Sequence, residues 1–161
     1  MLACTYFLTG PLFFAKVVAL LWHCIIVDQF PSVFDPHREP SMPKKILIVE
    51  DEQLIGLMLA ENVREMGWLV TKVVTNGQAA VRAIRSDPPD AILMDISLDG
   101  VMDGIETARI IKAKQDIPIL FFTGYQDQQL LDRALAVRPV GIVDKLDTTD
   151  NIRAAICSLL Q

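Results

Sequence analysis

Four short runs of apolar residues, each closed by a polar side chain, restrict what this chain can fold into more than any other feature. Lys45-Ile46-Leu47-Ile48-Val49 ends in Glu50-Asp51-Glu52, and Ala91-Ile92-Leu93-Met94 ends in Asp95. Ile117-Pro118-Ile119-Leu120-Phe121-Phe122 leads into Thr123-Gly124, and Val140-Gly141-Ile142-Val143 leads through Asp144 into Lys145. Runs this short, and apolar throughout rather than at every second residue, read as strands buried on both faces, which is the habit of parallel sheets. Open α/β sheets keep their sites outside the carboxyl ends of their strands, so acids, a hydroxyl and an ammonium distant in sequence are expected to meet at one edge.

The stretches between these runs carry helical periodicity. Expected helices cover Gln53 to Met66 with the stripe Ile55, Leu59, Val63 and Met66 and a stop at Gly67; Gln78 to Arg85 after Asn76-Gly77; Ile105 to Lys114; Asp127 to Val137; and Asp150 to Leu160 with the stripe Ile152, Ala155, Ile156 and Leu159. A further strand, Trp68 to Val74, is rich in β-branched residues. Five strands alternating with helices through short, right-handed connections predict an α/β fold: a doubly wound five-stranded parallel sheet of flavodoxin-like order 2-1-3-4-5 with helices on both faces.

Carboxylates gathered at one edge repel one another and need a cation. A hard divalent ion such as Mg2+ suits two or three carboxylates with retained waters and leaves a carboxylate oxygen free to attack phosphorus. A hydroxyl and an ammonium nearby can hold the new phosphoryl oxygens.

The set Glu50-Asp51, Asp95, Thr123 and Lys145, each at a strand end and in this order, together with Met102-Asp103-Gly104-Ile105-Glu106, resembles the receiver domain of two-component response regulators over Met42 to Gln161. The resemblance implies a signalling switch rather than an enzyme. Asp95 would accept a phosphoryl group from a sensor histidine kinase or phosphotransfer protein. Asp51 would bind Mg2+ directly and Glu50 mainly through water, with Asp95 and the backbone carbonyl of Ser97 completing the ligands. Thr123 and Lys145 would bind the phosphoryl group, and an unknown downstream protein would read the result. The chain departs from the family pattern in three places: Ile142 stands where Tyr or Phe is usual, Leu146 where proline is usual, and the loop after Asp95 is one residue longer than the commonest form, with Asp99 where proline is frequent. With Ile142 unable to act as an aromatic switch, Tyr125 is the alternative output residue, from a short likeness of Phe121-Phe122-Thr123-Gly124-Tyr125 to stand-alone receivers. The departures keep a pseudo-receiver, an interaction module not controlled by phosphate, as the rival reading. A phosphomonoester hydrolase is disfavoured, because Ser97 occupies the position where a second acid is expected.

Composition sets the remaining bounds. In a chain of 161 residues with 52% hydrophobic content there is room for one domain with a sizeable core and a short extension. The net charge of -5 gives no support for nucleic-acid binding. Cys4, Cys24 and Cys157 have neither paired nor metal-ligand spacing, which favours a reducing compartment, and Cys157 is expected in the core. His23 and His37 have no neighbouring ligand pattern. Residues 1–41 form a separate extension, apolar from Tyr6 to Val27 but broken by Gly10-Pro11, then proline-rich. It reads as a membrane anchor, a disordered arm, or translation from an upstream start codon, since Met42-Pro43-Lys44-Lys45 resembles a receiver start. A cytoplasmic location is expected, with a membrane tether only if the extension is an anchor. The last residues, Leu160 and Gln161, leave a stand-alone receiver as the expectation.

Overall fold

The computed structural model describes residues 42–124 and 127–159. Met42–Gln161 clusters as one compact unit. Within the described residues the elements alternate as β1 (Lys45–Val49), α1 (Gln53–Glu65), β2 (Leu69–Val74), α2 (Gly77–Ser86), β3 (Ala91–Asp95), α3 (Gly104–Lys112), β4 (Ile119–Thr123), α4 (Gln128–Leu135), β5 (Gly141–Asp144) and α5 (Thr149–Ser158). The sheet is parallel throughout, in the order β2-β1-β3-β4-β5.

Alternation along the strands builds two cores from one sheet. Leu47, Val49, Ile92, Met94, Ile119 and Phe121 point to one face, where Ala80 and Ile84 of α2, Ile105, Ala108 and Ile111 of α3 and Ala134 of α4 cover them. Ile46, Ile48, Ala91, Leu93, Leu120 and Phe122 point to the other, under Leu59, Ala60 and Val63 of α1 and Ile152 and Ile156 of α5. With helices on both faces, β3 and β4 carry no polar side chain until their last residues, Asp95 and Thr123, and the apolar run of β1 from Ile46 to Val49 ends just before Glu50.

Several boundaries differ from the sequence expectation for visible reasons. Trp68 lies outside β2 because it closes α1: its N–H donates to Val63 O (3.2 Å), the Gly67 N–H donates to Arg64 O (2.9 Å), and Gly67 takes φ 79°, the left-handed turn that glycine permits. β4 starts at Ile119 rather than Ile117, since Pro118 has no N–H for the ladder, although its carbonyl accepts from Ile92 N (2.9 Å). The pairing of β1 with β2 slips between Ile46 and Leu47, and the unpaired Thr71 turns its hydroxyl back onto Ile46 O (3.2 Å).

Cys157 is a correction. It is exposed, not part of the core. The readings placed on residues 1–41, including Cys4, Cys24, His23 and His37, and those on Tyr125 and Leu160, lie outside the described residues. Among the described residues no helix is long and apolar enough to cross a membrane.

Candidate functional site

Asp95 is the last residue of β3, between β1 and β4, and is 3% exposed. Its Oδ1 accepts from the Ser97 N–H (3.1 Å), so the loop that follows the strand turns back to hold the carboxylate. Glu50 follows β1 directly; its N–H continues the ladder onto Val74 O (2.9 Å), and its side chain is fully buried. Asp51, half-buried, follows it. Carboxylate oxygens of Glu50, Asp51 and Asp95 lie within 4.8 Å of one another.

Lys145 supplies the positive charge. It leaves β5 with its backbone N–H on Thr123 O (2.9 Å), and its Nζ reaches Glu50 Oε1 at 2.8 Å, Asp95 Oδ2 at 3.0 Å and Glu52 Oε1 at 3.5 Å. Thr123 closes β4 and is buried. The fold thus brings Glu50, Asp51, Asp95, Thr123 and Lys145 to the carboxyl edge of adjoining strands. Ser97 faces the same place through its N–H.

Burial is the main influence on Glu50, and it pushes the carboxyl up to about 6; the hydrogen bond from Lys145 pulls the other way and the Asp95 charge adds to the rise. Burial alone would lower the Lys145 ammonium, but its hydrogen bonds to Glu50 and Asp95 outweigh this and raise it above the ordinary value. A raised acid stabilises the folded protein at low pH, where the folded state holds a proton that the unfolded state has released. Stability without divalent cations is therefore expected to fall by about 2 kcal/mol from Glu50 as pH rises from 4.5 through 6. Urea melts across this window check it, and Glu50→Gln should remove that part of the slope.

The residues fit a hard divalent cation on a direct observation. Glu50 Oε2 is buried with no hydrogen-bond partner, an arrangement that costs free energy unless something positive satisfies it. Two neighbouring carboxylates within ligand range and all-oxygen donors match Mg2+ rather than a softer metal.

The loop after Asp95 is anchored through Asp103 and Gly104. Asp103 does cap α3, accepting from Glu106 N at Oδ1 (2.7 Å), while its Oδ2 accepts from Arg133 of α4 (2.7 Å). Gly104 donates its N–H to Ile96 O (2.8 Å), and a Cβ built on it would stand 1.8 Å from Asp95 O. Gly104, Arg133 and the Glu52 contact to Lys145 were missed as site-supporting residues. The Asp-Gly pair was the available signal for the first; the other two have none.

The departures from the family pattern have local explanations. Ile142 is half-buried and packs against the core beneath α2, α3 and α4. Leu146 is 89% exposed, and its N–H, a donor that proline lacks, bonds Asp144 Oδ1 (2.8 Å) to hold the turn after Lys145.

Comparison with known proteins bears on the family and the fold. A family model described as the response regulator receiver domain matches residues 46–157. The transcriptional regulatory protein PdtaR of Mycobacterium tuberculosis (strain ATCC 25618 / H37Rv) is 35% identical over 96 residues, covering 60% of this chain and 46% of PdtaR. The chain therefore spans less than half the length of that relative. Among solved structures, the signal receiver domain of a modulated diguanylate cyclase from Desulfovibrio desulfuricans G20 superposes with a TM-score of 0.69 at 35% identity, covering 74% of this chain and 94% of that one. The BeF3-activated N-terminal receiver domain of Klebsiella pneumoniae RstA does so at 0.68 and 25% identity, covering 73% and 98%.

Proposed function

This chain belongs to the response regulator receiver family, and we propose that within it Asp95 is the phosphoacceptor of a Mg2+-dependent switch. The observation that carries the reading is the Lys145 ammonium held between buried Asp95 and buried Glu50, beside the unpartnered Glu50 Oε2. We assign the switch to residues 42–161 and residues 1–41 to a separate extension.

An Asp95 oxygen forms the bond to phosphorus as the phosphorus–nitrogen bond of a phosphohistidine breaks, the electron pair leaving with the donor's imidazole. Asp51, Glu50, Asp95 and the Ser97 carbonyl would hold Mg2+, which supplies charge neutralisation for the phosphoryl oxygens. The Ser97 N–H and Lys145 fix the Asp95 carboxylate before reaction, so little reorganisation is needed. Lys145 then pairs with a phosphoryl oxygen, and the Thr123 hydroxyl binds another. A sensor histidine kinase or phosphotransfer protein is the donor, a downstream protein reads the charged state, and the location is cytoplasmic. Tyr125 remains the proposed output residue; the packed aliphatic Ile142 is placed to support the core rather than to signal.

The complete acid, hydroxyl and ammonium set opposes the pseudo-receiver alternative. Incubation with a small phosphodonor should add phosphate in Mg2+ and none in EDTA, because three carboxylates otherwise face the incoming phosphate. Equal labelling in EDTA would contradict the role given to the cation.

A further inference from the structure

We propose that Glu52 is an electrostatic gate that slows entry of anionic phosphodonors to Asp95; this deepens, and rests on, the reading of Asp95 as phosphoacceptor. Its carboxylate is the third one facing Lys145, at 3.5 Å, but unlike the other two it is 66% exposed. Glu50 and Asp95 sit at 2.8 and 3.0 Å with almost no exposure. The ammonium has three protons and three carboxylates around it, so a phosphoryl oxygen that pairs with Lys145 must displace one of them. The long, solvated contact is the weakest and yields first.

Glu52 is also free to yield. It occupies the residue before α1, yet its side chain makes no capping hydrogen bond. Its backbone N–H is fixed on Glu50 Oε1 (3.2 Å), so the main chain stays in place while the carboxylate swings. Until it does, it adds a full negative charge at the mouth of a pocket that already holds three carboxylates. A duller role is available, in which an acid at a helix start merely favours the helix dipole. That role predicts a small loss of stability on neutralisation and no change in phosphorylation rate.

The test measures the initial rate of Asp95 phosphorylation of the full chain by acetyl phosphate in Mg2+, for wild type, Glu52→Gln and Glu52→Lys. In this reaction the Asp95 oxygen–phosphorus bond forms as the bond from phosphorus to the acetate oxygen breaks, and acetate leaves with the electron pair. The gate predicts a rate increase of about 3- to 10-fold per unit of charge removed at low ionic strength, shrinking to within about twofold near 1 M salt, where screening acts over ~3 Å. Glu61→Gln, which neutralises an exposed acid of α1 paired with Arg64, should leave the rate unchanged. Equal rates for wild type and Glu52→Gln at low salt would overturn the gate, as would an increase that survives high salt. Absence of any labelling in wild type would instead overturn the phosphoacceptor reading on which the gate stands.

Discussion

Gly104→Ala is expected to cost at least about 3 kcal/mol of stability and to abolish most phosphorylation by the protein that still folds. The added Cβ would lie 1.8 Å from Asp95 O, 2.9 Å from Asp95 C and 3.0 Å from Ile96 Cα. All three neighbours are backbone, so no side chain can swing aside. Relief requires the start of α3 to back away from the end of β3, which breaks the Gly104 N–H to Ile96 O bond and disturbs the Asp103 cap. The same movement drags Asp95 from Lys145 and Ser97. Urea melts measure the first effect, and labelling in Mg2+ measures the second. Gly124→Ala is the control for stability: among the described residues its Cβ would meet only Lys145 Cδ at 3.9 Å, an ordinary contact. A Gly104→Ala variant within about 1 kcal/mol of wild type would show that the approach of α3 to Asp95 is looser than described.

Lys145→Met should be nearly as damaging at neutral pH, for a different reason. It leaves Glu50 and Asp95 buried as carboxylates with the bridging cation removed, and breaking a buried pair in this way costs about 3 to 5 kcal/mol. The protein has a partial escape. Glu50 already sits at about 6, and without Lys145 its folded value climbs further above the unfolded one, so it stays protonated to higher pH. The variant's stability should therefore fall more steeply than that of wild type as pH rises past 4.5, with a smaller deficit at pH 5 than at pH 7. Mg2+ should restore part of the loss at pH 7, since it neutralises the same carboxylates. A deficit equal at both pH values and indifferent to Mg2+ would place the Lys145 contribution in packing, not charge.

The strand ends were legible in the sequence because a strand buried on both faces stays apolar until it leaves the sheet; Glu50, Asp95 and Thr123 stand at such exits, and Lys145 follows Asp144 at the end of the half-buried edge strand β5. Helix positions were legible for the same reason at the helical period, with Asn76, Asp103, Asp127 and Thr148 capping four of them. Cys157 shows where composition misled. The buried stripe of α5 is Ile152, Ile156 and Leu159, and the residue after Ile156 lies about 100° around the helix from it. Periodicity, not residue type, decided its exposure. Contacts that depend on how close two elements approach were not legible. An Asp-Gly pair announces a turn, and nothing in it says that a methyl group at Gly104 would collide with Asp95. An acid run before a helix announces favourable dipole chemistry, and nothing in it says that Glu52 reaches an ammonium arriving from β5. The slip of β2 against β1, where the Thr71 hydroxyl donates to Ile46 O, is likewise something no periodicity records.

One carboxylate, Asp95, is expected to take a phosphoryl group in a site built by Glu50, Asp51 and Lys145. Intact-mass analysis of wild type and Asp95→Ala, side by side after incubation with Mg2+ and acetyl phosphate, tests it most directly. Wild type should gain the mass of one phosphoryl group, and Asp95→Ala should gain none. An unlabelled wild type, or an Asp95→Ala variant labelled to the same extent, would contradict it.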